Sequence, residues 1–287
     1  IGPHKDIPAP DVNTNQQIIA SMMDEFSKLQ DYSCPGVITG KPVALGGSVG
    51  RDDATARGGM YVLRNFAQEI GLDLQNSTVA IQGYGNVGSH AHRLIEKLFG
   101  AKVVALADEE GAIYAEEGLN YDQVSQNMVE QGIFSKDIQG TRLLGKGSEG
   151  SSKLLKLPVD ILIPAAIENV ITENNASDIQ AKVILELANG PLTPGADEIL
   201  SEKDIKIVPD FLSNAGGVTV SYFEWVQNLT NYYWDVEDIH ERLDKKMNSA
   251  FNDVYETSLN RGIKLRRAAY VVAVKRVENA IKLRNWV

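Results

Sequence analysis

The chain has 287 residues, of which 43% are hydrophobic and 23% charged, a balance typical of a globular protein with one large or two ordinary domains. The 28 basic residues stand against 38 acidic ones, and this net charge of −10 argues against nucleic acid or an anionic membrane as a partner. Cys34 is the only cysteine, so no internal disulfide can form, and we predict a cytoplasmic location. No apolar run reaches the length of a membrane span.

The first forty residues combine a proline-rich segment with an amphipathic helix. Pro3, Pro8 and Pro10 keep residues 1–12 extended, and Asp6 among them has the local character of a turn or capping carboxylate. This start is also typical of the interior of a longer sequence, so we expect a segment upstream of Ile1. The apolar spacing then predicts a helix over residues 15–29 whose inward face carries Ile18, Ile19, Met22, Met23 and Phe26.

A glycine-rich run over residues 46–59 precedes a predicted helix over residues 60–70, whose apolar positions are Val62, Leu63, Phe66 and Ala67. Such a run is either a flexible linker between domains or a loop that lets a ligand approach the backbone. Arg51, Thr55 and Arg57 within it favour the ligand-binding interpretation.

Residues 76–108 form the most informative stretch of the chain. A short apolar run, 78–81, is followed at once by Gly83-x-Gly85-x-x-Gly88. A helical segment comes next, with Val87, Leu94, Ile95 and Leu98 on one side and Gly100 at its end, and a second apolar run over 103–107 ends at Asp108. The order is strand, glycines, helix, strand and acidic residue, which predicts a dinucleotide-binding turn rather than a ligand-free one.

Each residue of this motif has a physical task in that interpretation. Gly83 permits the tight turn, Gly85 lets the backbone approach a pyrophosphate, and Gly88 allows the helix to pack closely on the strand. The helix N-terminus offers free N–H groups to the phosphates. The Asp108 carboxylate is placed to accept hydrogen bonds from an adenosine ribose.

Further strands are predicted over 159–164, 181–187 and 205–208, with a helix over 121–133 and a mobile polar loop over 145–152. These strands run into small or amide residues at Ala165 and Ala166, Asn189, and Asn214. Each asparagine alone is better explained as a turn residue. Their recurrence after successive strands favours a shared ligand edge, because ligands bind at the carboxyl ends of the strands in a doubly wound sheet. The predicted fold is therefore α/β, with a doubly wound, Rossmann-like parallel sheet.

The last seventy residues contain an aromatic-rich stretch, 218–234, and two predicted helices over 236–260 and 265–284. An aromatic stripe of this kind is more often core or subunit contact than part of a cofactor site. The four histidines give no metal-ligand spacing, because His90 and His92 face different sides of a helix, so we predict no metal. The sequence also has no GxSxG nucleophile elbow.

Several segments together resemble the hexameric glutamate dehydrogenases of the Glu/Leu/Phe/Val dehydrogenase superfamily, and the resemblance runs through the whole chain. The matching segments are 6–11 (DIPAPD), 39–42 (TGKP), 46–51 (GGSVGR), 54–55 (AT), 83–88 (GYGNVG), 164–169 (PAAIEN) and 214–218 (NAGGV). The resemblance implies reversible NAD(P)-linked oxidative deamination of L-glutamate to 2-oxoglutarate and ammonia by a homo-oligomer, a hexamer in the full-length protein.

The resemblance also implies roles for individual residues. It assigns proton transfer to Asp6, against the local interpretation of that residue, and substrate contacts to Ser221 and Val218. The residues that it and the glycine motif together assign to the cofactor are Thr55, Gly83, Gly85, Asn86, Val87, Gly88, Asp108, Ala165, Ala166, Asn189 and Asn214.

The chain departs from the family pattern in two places. Ala56 stands where the family usually has glycine, and the family's lysine-bearing substrate domain has no counterpart after Ile1. The resemblance thus implies that these 287 residues are mainly the cofactor-binding part and turn over poorly by themselves. We predict three parts: an aspartate loop and helix on the substrate-domain side (1–40), a dinucleotide-binding domain (41–222), and a hinge with C-terminal helices (223–287).

Two questions remain open from the sequence. A leucine, phenylalanine or valine dehydrogenase and a non-catalytic dinucleotide-binding module are the alternatives to a glutamate dehydrogenase. The cofactor is predicted to be NAD, with NADP possible, because Asp108, Glu109 and Glu110 are consecutive and no lysine or arginine occurs between residues 103 and 118.

Overall fold

The computed structural model describes residues 1–11, 13–131, 138 and 140–286. Within them, seven strands form one sheet in the order β4-β3-β2-β1-β5-β6-β7. The strands are β1 Thr78–Gln82, β2 Lys102–Ala107, β3 Gly111–Tyr114, β4 Arg142–Lys146, β5 Ile161–Pro164, β6 Val183–Leu185 and β7 Lys206–Val208.

The direction of the strands confirms a doubly wound α/β fold but corrects the prediction of a wholly parallel sheet. β1, β2, β5, β6 and β7 are parallel, whereas β3 is antiparallel to both β2 and β4. The connection between β2 and β3 is only residues 108–110, and a link this short can join antiparallel strands alone. Strand order reverses between β1 and β5, which makes the carboxyl end of β1 the topological switch point.

The described part of the chain has ten α-helices, and a separate hydrophobic cluster covers each face of the sheet. They are α1 Gln16–Gln30, α2 Ala54–Ile70, α3 Asn86–Phe99, α4 Tyr121–Gln131, α5 Gly147–Leu155, α6 Pro194–Glu202, α7 Asp210–Ser213, α8 Gly216–Thr230, α9 Val236–Arg261 and α10 Leu265–Leu283. Val79 and Ile81 of β1 belong to the cluster with α2, α3 and α9, and Ala80 to the cluster with α5 and α6. This alternation is the pleat of a strand buried on both faces.

Two glycine-rich segments that suggested loops are regular structure. The predicted mobile loop over 145–152 is the end of β4 followed by α5, and the run before residue 60 is helical from Ala54. Glycine occurs in these regular elements because neighbouring backbones pack closely there. A Cβ on Gly150 would lie 2.4 Å from the Gly145 oxygen, and one on Gly58 would lie 2.8 Å from the Gly216 Cα. Here the glycines permit contact between backbones instead of making turns.

Three predicted inward residues are instead partly exposed. Ile18, Met22 and Leu98 are 40%, 48% and 40% exposed. In α1 the buried stripe is narrow, because Ile19 and Ala20 are its only buried residues and Ile19 packs with Cys34, Val37 and Ile38. The predicted helix over 121–133 is present as α4, and Ile133 lies outside the described residues.

Among the described residues, none of the helices combines the length and apolar character needed to cross a membrane. The same residues contain no group of three or more His, Cys, Asp or Glu side chains that could hold a metal ion.

Candidate functional site

The glycine turn lies at the switch point, between the end of β1 at Gln82 and the start of α3 at Asn86. Gly83 has φ +97°, a conformation that L side chains rarely adopt, and its N–H donates to the Ala107 oxygen at 2.8 Å. A Cβ on Gly88 would lie 1.8 Å from the Gly83 oxygen, whereas one on Gly85 would meet nothing within 4 Å. Gly85 therefore faces open space, and no side chain caps the N-terminus of α3 behind it.

This contrast between the two glycines gives a direct prediction. We expect Gly88→Ala to lower the free energy of unfolding by about 1–3 kcal/mol, because the added methyl group overlaps backbone atoms. Gly85→Ala is the matched control: Gly85 has φ −78°, so stability should change by less than about 0.5 kcal/mol while NADH binding weakens. Urea unfolding and NADH titration measure both quantities. An unchanged NADH affinity in Gly85→Ala would contradict the placement of a ligand at this turn.

A buried histidine anchors the turn to the helices beside it. The Tyr84 hydroxyl is 2.8 Å from His92 Nδ1, while His92 Nε2 is 2.8 Å from the Leu119 oxygen and 3.1 Å from Glu96 Oε1. Because both neighbours of Nε2 are acceptors, Nε2 carries the proton and Tyr84 donates to Nδ1. Burial raises the pKa of Tyr84, which keeps the hydroxyl a donor. From the sequence, His92 was assessed only as a possible metal ligand. Its anchoring role was missed, because its partner Leu119 is 27 residues away in the chain.

Asp108 lies where β2 ends, next to Ala107, whose carbonyl oxygen holds Gly83. Its Oδ1 accepts the N–H groups of Glu110 and Gly111 at 2.9 and 3.0 Å, which shapes the short connection to β3. Oδ2 has no hydrogen-bond donor among the described residues. Burial raises the pKa of Asp108 because it disfavours the charged carboxylate, and a donor to Oδ2 would oppose that rise.

The other side of the switch point brings together the small and amide residues that follow β5, β6 and β7. Ala165 donates its N–H to the Gln82 oxygen at 2.7 Å, and a Cβ on Gly83 would lie 2.6 Å from the Ala166 Cβ. The Asn214 side chain donates from Nδ2 to Asn189 Oδ1 at 2.7 Å. Asn189 and Asn214 thus form one amide pair at this edge, here called the asparagine pair.

The loop before α2 connects the glycine turn with α8. Asn86 Nδ2 donates to the Asp52 oxygen at 3.3 Å, and Arg51 Nε donates to Ser221 Oγ at 3.0 Å. Thr55 lies against the start of α8, since a Cβ on Gly217 would lie 2.5 Å from its Oγ1. Val218, on the first turn of α8, is 69% exposed. Arg51 was noticed in the sequence but not placed among the site residues, because its partner Ser221 is 170 positions away.

A fully buried ion pair joins the loop around residue 40 to α8. Lys41 Nζ lies 2.5 Å from Glu224 Oε1, and both side chains are 0% exposed. The Glu224 carboxylate also accepts the backbone N–H groups of Gly40 and Lys41. Burial lowers the pKa of Lys41, and the Glu224 carboxylate opposes that change.

This loop in turn holds the proline-rich segment that carries Asp6. The Thr39 N–H donates to the Pro8 oxygen at 3.1 Å, and Pro10 packs so tightly on Gly40 that a Cβ there would lie 2.5 Å from the Pro10 Cγ. Nearer the start of the chain, Trp225 Nε1 donates to the Pro3 oxygen at 2.9 Å. Asp6 is exposed within a segment that is bonded to α8 at Pro3 and to the loop around residue 40 at Pro8.

A doubly wound sheet with an uncapped, glycine-lined helix N-terminus at its switch point defines the class of dinucleotide-binding α/β proteins. The chain belongs to the Glutamate/Leucine/Phenylalanine/Valine dehydrogenase family, whose model matches residues 46–285.

Curated relatives and solved structures agree with this membership. An NAD-specific glutamate dehydrogenase of Bacillus subtilis, described as cryptic and catabolic, is 46% identical over 287 residues, which are 100% of this chain and 65% of that protein. An NAD-specific glutamate dehydrogenase of Staphylococcus aureus is 46% identical over 286 residues and is covered to 67%.

The hetero-hexameric glutamate dehydrogenase of Thermus thermophilus, in its Leu-bound form, superposes with a TM-score of 0.91 at 37% identity, covering 99% of this chain and 66% of that one. The glutamate dehydrogenase of Peptoniphilus asaccharolyticus gives 0.86 at 38% identity, covering 100% and 67%. The chain spans about two thirds of the length of these relatives and structures.

Proposed function

We propose that the chain is the cofactor-binding part of an enzyme that oxidises L-glutamate with NAD to give 2-oxoglutarate, ammonia and NADH. The observation that carries this proposal is the glycine turn, with open space at Gly85 and the available Oδ2 of Asp108 beside it. Two curated relatives at 46% identity are NAD-specific glutamate dehydrogenases, which supports both the substrate and the cofactor.

The cofactor would lie along the carboxyl edge of the sheet. The uncapped N–H groups of α3 suit the pyrophosphate, and Asp108 at the end of β2 suits the ribose of the adenosine half. The nicotinamide half then extends to the opposite side of the switch point, where Ala165, Ala166 and the asparagine pair lie. NAD itself supplies the hydride acceptor, and the protein's task is to orient it and exclude water.

The substrate carboxylate is proposed to bind near Arg51 and Ser221. Ser221 is buried and accepts a hydrogen bond from Arg51 Nε, while the two terminal nitrogens of the guanidinium have no hydrogen bond to the described residues. A guanidinium with free terminal N–H groups matches a carboxylate in shape and charge. Val218, exposed one turn earlier on α8, would border the same space.

The proton acceptor is proposed to be a carboxylate of the segment 6–11. The family resemblance assigns the role to Asp6, and the structure offers Asp11 as a second candidate. Asp11 directly follows Pro10, and its backbone is fixed by hydrogen bonds with Thr14 on its other side. The backbone of Asp6 makes one longer hydrogen bond, 3.3 Å from the Gly2 nitrogen to the Asp6 oxygen. We propose Asp6 for this role, as the family resemblance implies, and Asp11 is the alternative that the test has to separate from it.

We further propose the division into parts 1–40, 41–222 and 223–287, assembly as a homo-hexamer, and a cytoplasmic location. The similar structure that is described as a hetero-hexamer supports the number of six subunits. The hydrogen bond from Trp225 to the Pro3 oxygen is one contact between the first part and α8. Sedimentation analysis of the full-length protein tests the hexamer, and a dimer would contradict it.

The test of the function is amino-acid-dependent formation of NADH by the full-length natural protein. We expect L-glutamate to be oxidised at least about a hundredfold more efficiently, in kcat/KM, than L-leucine, L-phenylalanine or L-valine, because a site built to bind the side-chain carboxylate of glutamate rejects apolar side chains strongly. Preference for one of those three amino acids would contradict the proposed substrate. NADH binding without any oxidation would favour a non-catalytic module.

A further inference from the structure

One buried charge cluster lies outside the site described so far, where the C-terminal helix α10 meets the sheet. Arg266, in the first turn of α10, contacts three carboxylates at once: Asp197 at 2.7 Å, Asp210 at 3.2 Å, and both oxygens of Glu186. Glu186 directly follows β6 and is 0% exposed. The only other cation bonded to these carboxylates within the described residues is Lys264, which lies 3.2 Å from Asp197 alone.

Asp210 connects this cluster to the loops that carry the asparagine pair. Its Oδ2 accepts the Gly190 N–H at 2.8 Å, and its backbone oxygen accepts the Asn214 N–H at 2.8 Å. Its own N–H donates to Glu186 Oε2 at 2.9 Å. Asp210 therefore binds the backbone of Gly190, next to Asn189, and the backbone of Asn214 itself. Arg266 in turn binds the other carboxylate oxygen of Asp210.

We propose that Arg266 is a positioning residue which, acting through Asp210, sets the asparagine pair for the nicotinamide half of the cofactor. The inference rests on the proposed dinucleotide site and adds a residue far along the chain to it. Without the guanidinium, Glu186, Asp197 and Asp210 would face each other, and Lys264 would be the one cation bonded to any of them in the described part of the chain. Repulsion between the carboxylates, and hydration of their charges, would then pull the Asp210 side chain away from the Gly190 N–H. The loops that carry Asn189 and Asn214 would lose their shared contact with Asp210.

An arginine suits this task for a geometric reason. Its planar guanidinium offers five donors in a fixed fork, and here four contacts from Nε, Nη1 and Nη2 reach three different carboxylates. Burial raises the pKa of Glu186 to about 7, and Arg266 is the group that counters this rise and favours its ionised form. A lysine would supply the charge without the fork, so Arg266→Lys should recover only part of the function.

The test compares two ligands, because ADP-ribose occupies the half of the site on the Asp108 side and NADH occupies both halves. In the full-length protein we expect Arg266→Met to weaken NADH about tenfold and to lower kcat about ten- to a hundredfold, while ADP-ribose binding changes less than about twofold. Lys264→Met is the matched control, because it removes an ion pair with Asp197 but no contact to Asp210, and it should leave both affinities unchanged.

A double variant separates positioning from stability. Glu186→Met/Arg266→Met replaces the buried charges by apolar groups, which should restore much of the unfolding midpoint lost in Arg266→Met. Asp210 still lacks its arginine there, so the selective loss of NADH affinity should persist. Equal weakening of both ligands, or an Arg266→Met protein that binds NADH like Lys264→Met, would overturn the proposal. Failure of the unaltered protein to bind ADP-ribose would instead sink the proposed cofactor site.

Discussion

Lys41→Met is expected to lower the free energy of unfolding by about 3–5 kcal/mol, the usual cost of leaving one partner of a buried ion pair uncompensated. Glu224 would remain in a site with 0% exposure, retaining the Gly40 and Lys41 backbone donors and the more distant charge of Arg51 but losing its bonded counter-charge. Since the same loop holds Pro8 and Pro10, the proline-rich segment should loosen together with it. Urea unfolding measures the energy, and proteolysis within residues 1–11 measures the loosening.

The control for this variant is Lys28→Met, which removes an ion pair of similar length, 2.6 Å to Asp24, on an exposed face of α1. Its side chains are 65% and 63% exposed, so the loss should stay below about 1 kcal/mol. The double variant Lys41→Met/Glu224→Met should recover much of the stability lost in Lys41→Met. A loss below about 1 kcal/mol in Lys41→Met would show that this pair does not hold the loop.

Replacing the proton-accepting aspartate by asparagine is expected to reduce kcat for glutamate oxidation by about 10²- to 10⁴-fold, the range that general acid–base catalysis contributes. The substitution keeps the size of the side chain and removes its basicity, so KM for NAD should change little. Asp6→Asn and Asp11→Asn are made in parallel in the full-length protein. We expect the larger loss in Asp6→Asn, because the family resemblance assigns the proton transfer to Asp6.

Asp31→Asn serves as the reference for these two variants, because Asp31 is exposed at the end of α1, outside the segment 6–11. It should retain full activity. If both Asp6→Asn and Asp11→Asn also kept more than about half of the normal kcat, neither carboxylate would be the acceptor, and the proposed role of the segment 6–11 would be wrong.

The parts of the fold that depend on local sequence could be predicted. Buried strands and amphipathic helices have their own periodicities, and the order of strand, glycines, helix, strand and Asp108 is contained within 33 residues. The antiparallel β3 was not predicted, because no strand was expected after Asp108; once its bounds are known, residues 108–110 leave no room for a crossover from β2. The glycines of 54–59 and 145–152 misled the prediction, since a glycine that lets two backbones touch looks in sequence like one that makes a turn.

The contacts that position the site could not be predicted, because their partners are far apart in the chain. Lys41 and Glu224 are separated by 183 residues, Arg51 and Ser221 by 170, and Arg266 and Glu186 by 80. No periodicity or spacing rule relates such pairs. The three successive strand ends did predict that Asn189 and Asn214 lie at one edge, and the structure pairs them directly, but nothing local indicated that Asp210 and Arg266 stand behind them.

The most direct test of the cofactor site is a comparison of the dissociation constants of NADH and NADPH at one ionic strength. A 2′-phosphate beside Asp108 would meet a carboxylate with two exposed acidic neighbours, Glu109 and Glu110, at a cost of about 1 kcal/mol in water and about 4 kcal/mol at a partly buried surface. We therefore expect NADH to bind several-fold to about a thousandfold more tightly, and Asp108→Ser to narrow the difference chiefly by improving NADPH binding. Equal affinities, or tighter binding of NADPH, would contradict the placement of the ribose at Asp108.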